Sequence, residues 1–218
     1  MMDDGALLLA EARPLLQPSS AKGEATLKRI LEAAEHLFAR RGFAATRMQD
    51  IAEAVDIKRA SIAYFFPDKQ RIYLTVIRLA AEELRETVVS RLPSEGTPLE
   101  QLQVSFEIWI RHLAERPNLF RIILRQMSGD EGPSSVGYLA WTAGLSLLQA
   151  LLSEAQTVYN KPDLTIDKLN AAACGPTFVF LAIAFNRPDF NSADPAFQAQ
   201  LDQHIDEVKA TLHRLLAA

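Results

Sequence analysis

The chain is predicted to fold as an all-α protein, and three observations carry that expectation. No segment sustains the alternation of apolar and polar residues that a half-buried strand needs. Apolar residues recur instead at three- and four-residue intervals from Leu27 almost to the end of the chain, the period that lines one face of a helix. Pro and Gly punctuate these stretches at Gly42, Pro67, Pro93, Gly96, Pro98 and Pro117, where helices stop and start.

Residues 1–21 carry Pro18, Ser19, Ser20 and Gly23 around their end before any helical period is established, and read as a flexible arm. A first helix spans Ala25 to Arg41, where Leu27, Ile30, Leu31, Ala34, Leu37 and Phe38 share a face and Gly42 follows as a stop. Thr46 is a suitable cap for a second helix over Arg47–Ala54, with Met48, Ile51 and Ala52 inward. A third occupies Lys58–Phe65. Beyond Pro67 a long fourth helix fits Lys69–Arg91. Leu99, Leu102, Phe106, Trp109, Ile110 and Leu113 mark the next, and Pro117 opens another to Met127. After Ser128–Ser135, helices fit Val136–Tyr159, Ile166–Phe185 and Pro195–Leu216.

With 218 residues, of which 49% are hydrophobic, the chain has material for a substantial core. Cys174 is its single cysteine, which excludes an internal disulfide and a cysteine-based zinc site and fits a reducing cytoplasm. The Met1-Met2-Asp3-Asp4 start lacks the positive flank of a secretory signal. The apolar run Ala171–Phe185, interrupted by Pro176, is shorter than the roughly 20 residues of a membrane span; no membrane partner is expected. His36, His112, His204 and His213 are scattered without metal-ligand spacing, and no phosphate loop or nucleophile motif occurs. No enzyme activity, metal or cofactor is expected, and His36, opposite the apolar face of its helix, reads as solvated. The formal charge is −4, yet Lys22–Lys69 holds nine Lys or Arg against seven Asp or Glu, so the basic excess is confined to the first three helices.

The stretch Gly42–Tyr73 reads as two short helices on a tight turn, a geometry able to place the second helix in a DNA groove. Ile51, Val55, Ile57, Ile62 and Phe66 would weld the helices together. That leaves Lys58, Arg59, Ala60, Ser61 and Ala63 facing bases: the cations toward guanine O6 and N7, Ser61 toward acceptors, the alanines toward thymine methyls. Thr46, Arg47, Tyr64 and Lys69 are the expected phosphate contacts.

The pattern at Ile51, Ala52, Phe66 and Lys69, with close substitutes at Val55, Ile57 and Ile62 and with Gly42, Phe43 and Thr46 before them, resembles the DNA-binding domain of the tetracycline-repressor (TetR) family. Asp56 stands where the family's turn has Gly, Lys58 replaces a Ser cap, Ala63 a Tyr, and Phe65 a His or Tyr. The resemblance implies a helix-turn-helix DNA-binding domain over residues 22–68 and a larger helical ligand-binding and dimerisation domain over 69–218. It also implies a homodimer, a double-stranded DNA operator and an unidentified small-molecule effector. Phe106, Trp109, His112, Phe120, Arg121, Met127, Tyr138 and Trp141 are the expected pocket residues. Phe178 and the stripe Phe197, Leu201, Ile205, Val208 and Leu212 are the expected dimer interface. The function read from this is a repressor released from a pseudo-palindromic operator by a ligand; the alternative is a DNA-binding factor of the same fold controlled by a protein partner.

Overall fold

A computed structural model describes residues 20–128 and 147–217, and these are helical with no strand among them. In chain order the helices are α1 (Ala21–Ala45), α2 (Met48–Ala54), α3 (Arg59–Phe65), α4 (Lys69–Arg91), α5 (Pro98–Glu115) and α6 (Pro117–Met127). There follow α7 (147–158), α8 (Ile166–Phe185) and α9 (Pro195–Ala217).

The chain divides into two compact units, which differ from the domains expected at a 68/69 boundary. Residues 20–82 and 118–128 belong to the first unit, and 83–117 and 147–217 to the second. The first half of α4 falls with the preceding helices because its side chains complete their core. Tyr73 meets Phe38 and Phe43 edge-on, with ring centroids 5.0 and 5.1 Å apart, and Ile72, Val76 and Ile77 are buried. Gln126 of α6 donates to the Tyr73 hydroxyl at 2.6 Å, which ties α6 to the same unit.

Local chemistry sets the helix ends. Ser20 caps α1 by accepting from the Gly23 amide, and Asp68 caps α4 by accepting from the Arg71 amide at 2.8 Å. Thr97 and Glu100 form a reciprocal capping box at α5, with Pro98 in its first turn; those hydrogen bonds to Thr97 hold the Glu100 carboxyl below its ordinary range. Gly42 does stop the first helical run. Its φ of +81° breaks the helix before the last residues of α1, a geometry that costs glycine nothing.

In the second unit α9 lies against α5 and α8. Arg111 of α5 pairs with Glu107 at 3.0 Å and with Asp202 of α9 at 2.8 Å, while Lys209 of α9 reaches Glu107. These two partners hold the Glu107 carboxyl low against the opposing effect of its burial. Beneath them Leu201, Ile205, Val208 and Leu212 are at most 3% exposed. The stripe expected to face a second subunit is therefore the internal core of this unit, and Phe178 and Phe197, at 7% and 4% exposed, belong to it too. By length and composition α8 could cross a membrane, but Leu169, Ala173, Cys174, Thr177, Leu181 and Ala184 are buried inside the unit. Burial pushes the Cys174 thiol up to about 12, which leaves it unreactive at neutral pH.

Candidate nucleic-acid interface

The two short helices meet through a core built from one face of each. Ile51 and Ala52 of α2, Val55 of the turn and Ile62, Phe65 and Phe66 around α3 are 0 to 6% exposed, and Ile57 is half-buried. The turn closes through Ile57 N–H donating to Ala52 O at 3.0 Å and Asp56 N–H to Glu53 O at 3.2 Å. Asp56 takes φ +53°, the left-handed conformation expected where the family has glycine; a short polar side chain tolerates it at a cost of roughly 1 kcal/mol. Arg29 of α1 donates to Val55 O, a tie that no helical periodicity announces.

With Ile62 and Phe65 facing inward, the other side of α3 is open. Lys58, Arg59, Ala60, Ser61 and Ala63 are all exposed, as is Tyr64 at 60%. They crowd the first turns of a helix only two turns long, the part of a recognition helix that reaches base edges. Two cations, a hydroxyl and two methyl groups thus form one continuous surface. Arg47 is exposed before α2, where Asp50 accepts from its backbone N–H at 2.7 Å.

Two expected phosphate contacts are placed otherwise. The Thr46 side chain is fully buried and its hydroxyl donates to Gly42 O at 2.7 Å, so it repairs the break in α1 and is not available to a phosphate. Lys69 donates its ammonium to Phe43 O at 2.7 Å, Ala44 O at 3.1 Å and Thr46 O at 2.9 Å, and stands 4.4 Å from the Phe43 ring centre. All three of its donors are committed to the carbonyls that end α1. It is a clamp between α1 and α4. Phe65, at the position where the family has a phosphate-touching ring, is buried instead.

The eight expected pocket residues do not form one described set. Phe106, Trp109 and His112 lie on α5 in the second unit, where Trp109 meets Phe106 and Phe178 edge-on at 6.4 and 5.9 Å. His112 is 9% exposed and its Nε2 has no hydrogen-bond partner among the described residues. Burial, and then the nearby Arg116 cation, hold its imidazole below the ordinary 6.5 and hence neutral. Phe120 and Arg121 lie on α6 in the first unit, Phe120 in its core. Met127 is 61% exposed among the described residues. Tyr138 and Trp141 lie outside the described residues.

Residues 30–76, from the middle of α1 into α4, match the family model for bacterial regulatory proteins of the tetR family. Residues 30–76 thus form a TetR-type DNA-binding head. The chain spans about half the length of curated relatives such as a helix-turn-helix-type transcriptional regulator of Mycobacterium tuberculosis H37Rv, 28% identical over 101 residues, 46% of this chain and 50% of the relative. IcaR, a negative transcriptional regulator of the icaADBC biofilm operon in Staphylococcus aureus strain Newman, is 24% identical over 189 residues, 86% of this chain and 97% of its own. Among solved structures, AibR in complex with isovaleryl coenzyme A and operator DNA is 18% identical with a TM-score of 0.62, over 88% of this chain and 98% of its own. That last likeness is one of fold. Within the TetR head, the Gly42 break, the left-handed turn residue and the buried α2–α3 face are the features that residues 42–66 of this chain supply.

Proposed function

We propose that the chain is a homodimeric transcriptional repressor that reads a pseudo-palindromic operator through α3 and releases it when a small molecule enters the second unit. The observation that carries this reading is the exposed basic and hydroxyl-bearing face of α3, held by the buried α2–α3 core. Arg59 and Lys58 donate to guanine, Ser61 to either acceptor, and Ala60 and Ala63 meet thymine methyls. Arg47 and Tyr64 position the head on phosphates. The likeness of residues 30–76 to TetR-family heads supports the DNA partner, and in this reading the chain works on DNA in the cytoplasm. Arg47→Ala is expected to weaken specific and non-specific duplexes alike and to lower the slope of log affinity against log salt by about one unit; fluorescence anisotropy across a salt series measures it, and an unchanged slope removes Arg47 from the contact surface.

The dimer forms in this reading through the side of α8 that its own unit leaves open. Ala172, Gly175, Pro176, Val179 and Ile183 follow one another at helical spacing there, with Val179 and Ile183 at 61% and 67% exposed. A Cβ at Gly175 would meet nothing within 4 Å, so the surface is free for a second helix to approach closely. A face that pairs with its own copy gives two-fold symmetry and two heads.

The effector in this reading lies by Trp109 and takes a hydrogen bond from or to His112 Nε2, which no described residue satisfies and which is costly to leave so. Intrinsic fluorescence then changes saturably over the concentrations that release operator DNA, because linkage ties the two affinities, and Trp109→Phe removes most of that signal. Acyl-coenzyme A thioesters, beginning with the isovaleryl form that AibR carries, are the first panel to titrate. A compound that releases DNA with the Trp109 signal unmoved places the effector elsewhere.

A further inference from the structure

The turn between α2 and α3 is held from outside those helices by a side chain that takes no part in the contacts assigned to DNA. Arg29 of α1 donates through Nη2 to Val55 O, 26 residues away in the chain. Val55 is the cap residue that ends α2, and its own N–H returns to Ala52 O and Glu53 O. The amides of Asp56 and Ile57 serve the same two carbonyls. Val55 O instead takes its donor from α1.

Two features make a guanidinium the fitting donor there. The carbonyl end of a helix favours a cation, and α2 has no basic residue in its last turn, so Arg29 supplies one from another helix. Ile30, next to Arg29 in the chain, is fully buried and with Ala34, Leu37 and Phe38 belongs to the core. The base of the Arg29 side chain is thereby anchored while its tip reaches the turn. Immediately after Val55 comes the left-handed Asp56, and Lys58 and Arg59 then cap and open α3. Apolar contacts between α2 and α3 are non-directional. The hydrogen bond to Val55 O has a direction.

We propose that Arg29 is a positioning residue for base recognition: it locks the α2–α3 turn onto α1 and so aims the first turn of α3, without touching DNA itself. This role rests on the reading of α3 as the base-contacting helix. Its signature differs from that of a contact residue. Hydrogen bonds to base edges need each donor aligned with its acceptor, so loosening the start of α3 weakens several base contacts together. Phosphate contacts carry the non-specific affinity and the salt dependence, and long flexible side chains keep them through the same shift.

Selection from a randomised duplex library by the full chain, followed by anisotropy titration of the selected operator and of an unrelated duplex across a salt series, tests this role. Arg29→Met keeps an apolar stem and removes the donors. It is expected to weaken the selected operator about tenfold, as loss of one charged hydrogen bond would, and to relax preference at several positions of each half-site at once. The unrelated duplex and the salt slope stay unchanged. Arg29→Lys keeps a charged donor without the planar fork and is expected to come within about threefold of the parent. With titrations normalised to the folded fraction by circular dichroism, a loss of stability alone leaves the ratio of specific to non-specific affinity where it was, and overturns the proposal. So does a fall of about one unit in the salt slope, which makes Arg29 a phosphate contact, or a lysine variant no tighter than the methionine one. Should Arg29→Met fail to fold, Arg29→Lys decides alone: a small loss spread over several positions supports the aiming role, and an unchanged preference overturns it. A parent chain that selects no motif sinks the DNA-binding reading and this role with it, whereas a motif that folded Arg29→Met reads unaltered overturns this role alone.

Discussion

Val179→Arg combined with Ile183→Arg is expected to give a folded monomer that binds operator at least a hundredfold more weakly than the parent. Both side chains are exposed on α8, so arginine there meets water in the isolated chain and leaves the core of the second unit untouched. In the dimer proposed above the same positions face their copies, and four cations would be buried on an apolar surface without partners, at several kcal/mol. The heads then lose each other. Two linked heads gain an effective concentration that separate ones lack, which accounts for two or more orders of magnitude in affinity. The contrast with the internal stripe is diagnostic: Leu201→Arg with Ile205→Arg places charges where both residues are 2% exposed and unfolds the protein. Light scattering beside circular dichroism separates the two, and a stable dimer of the α8 variant with normal affinity would move the interface elsewhere.

Lys69→Ala is expected to lower stability by about 2–4 kcal/mol while leaving the salt slope of DNA binding where it was. Its ammonium serves three backbone carbonyls at the end of α1 and lies over the Phe43 ring. Charged hydrogen bonds of this kind contribute about 1.5–3 kcal/mol each at most, a cation over an aromatic face adds ~1 kcal/mol, and water recovers part of the loss because the site is only part-buried. The effect on DNA is indirect: the angle between α1 and α4 is no longer pinned, so specific affinity falls with the head's order. Denaturant unfolding measures the first quantity and a salt series the second. A fall of one unit in the slope with stability unchanged would return Lys69 to the phosphates.

The two lysine roles illustrate where sequence reasoning succeeds and where it stops. Helix ends were legible where breakers act locally, as Gly42 does; the cap expected of Thr46 falls instead to Arg47 and Asp50, since the Thr46 hydroxyl turns back to Gly42 O. The left-handed turn at Asp56 was legible for the same reason. Lys69 was singled out correctly as a residue at a helix start, but a lysine reads alike whether its ammonium meets a phosphate or three carbonyls 23 to 26 residues away in the chain. Thr46 shares that ambiguity. The apolar stripe on α9 was visible as a stripe; period alone does not say which neighbour covers it, and α5 and α8 of the same chain do. The expected pocket residues divide between the two units, and aromatics at helical spacing fill cores as readily as cavities, as Phe120 does. His36, read as solvated, is exposed, while its nearness to Arg121 and Arg125 of α6 is something that nothing in α1 announces.

Selection of duplexes from a randomised library by the purified chain, run beside Arg59→Ala, decides whether the exposed face of α3 reads bases. An enriched pseudo-palindrome is expected, with half-sites related by the two-fold axis of the dimer. Arg59→Ala is expected to relax preference at one position of each half-site at a loss of about 1–3 kcal/mol there, with the remaining positions kept. Enrichment of no motif, or the same motif with the same preference at every position in the variant, would contradict base reading by α3.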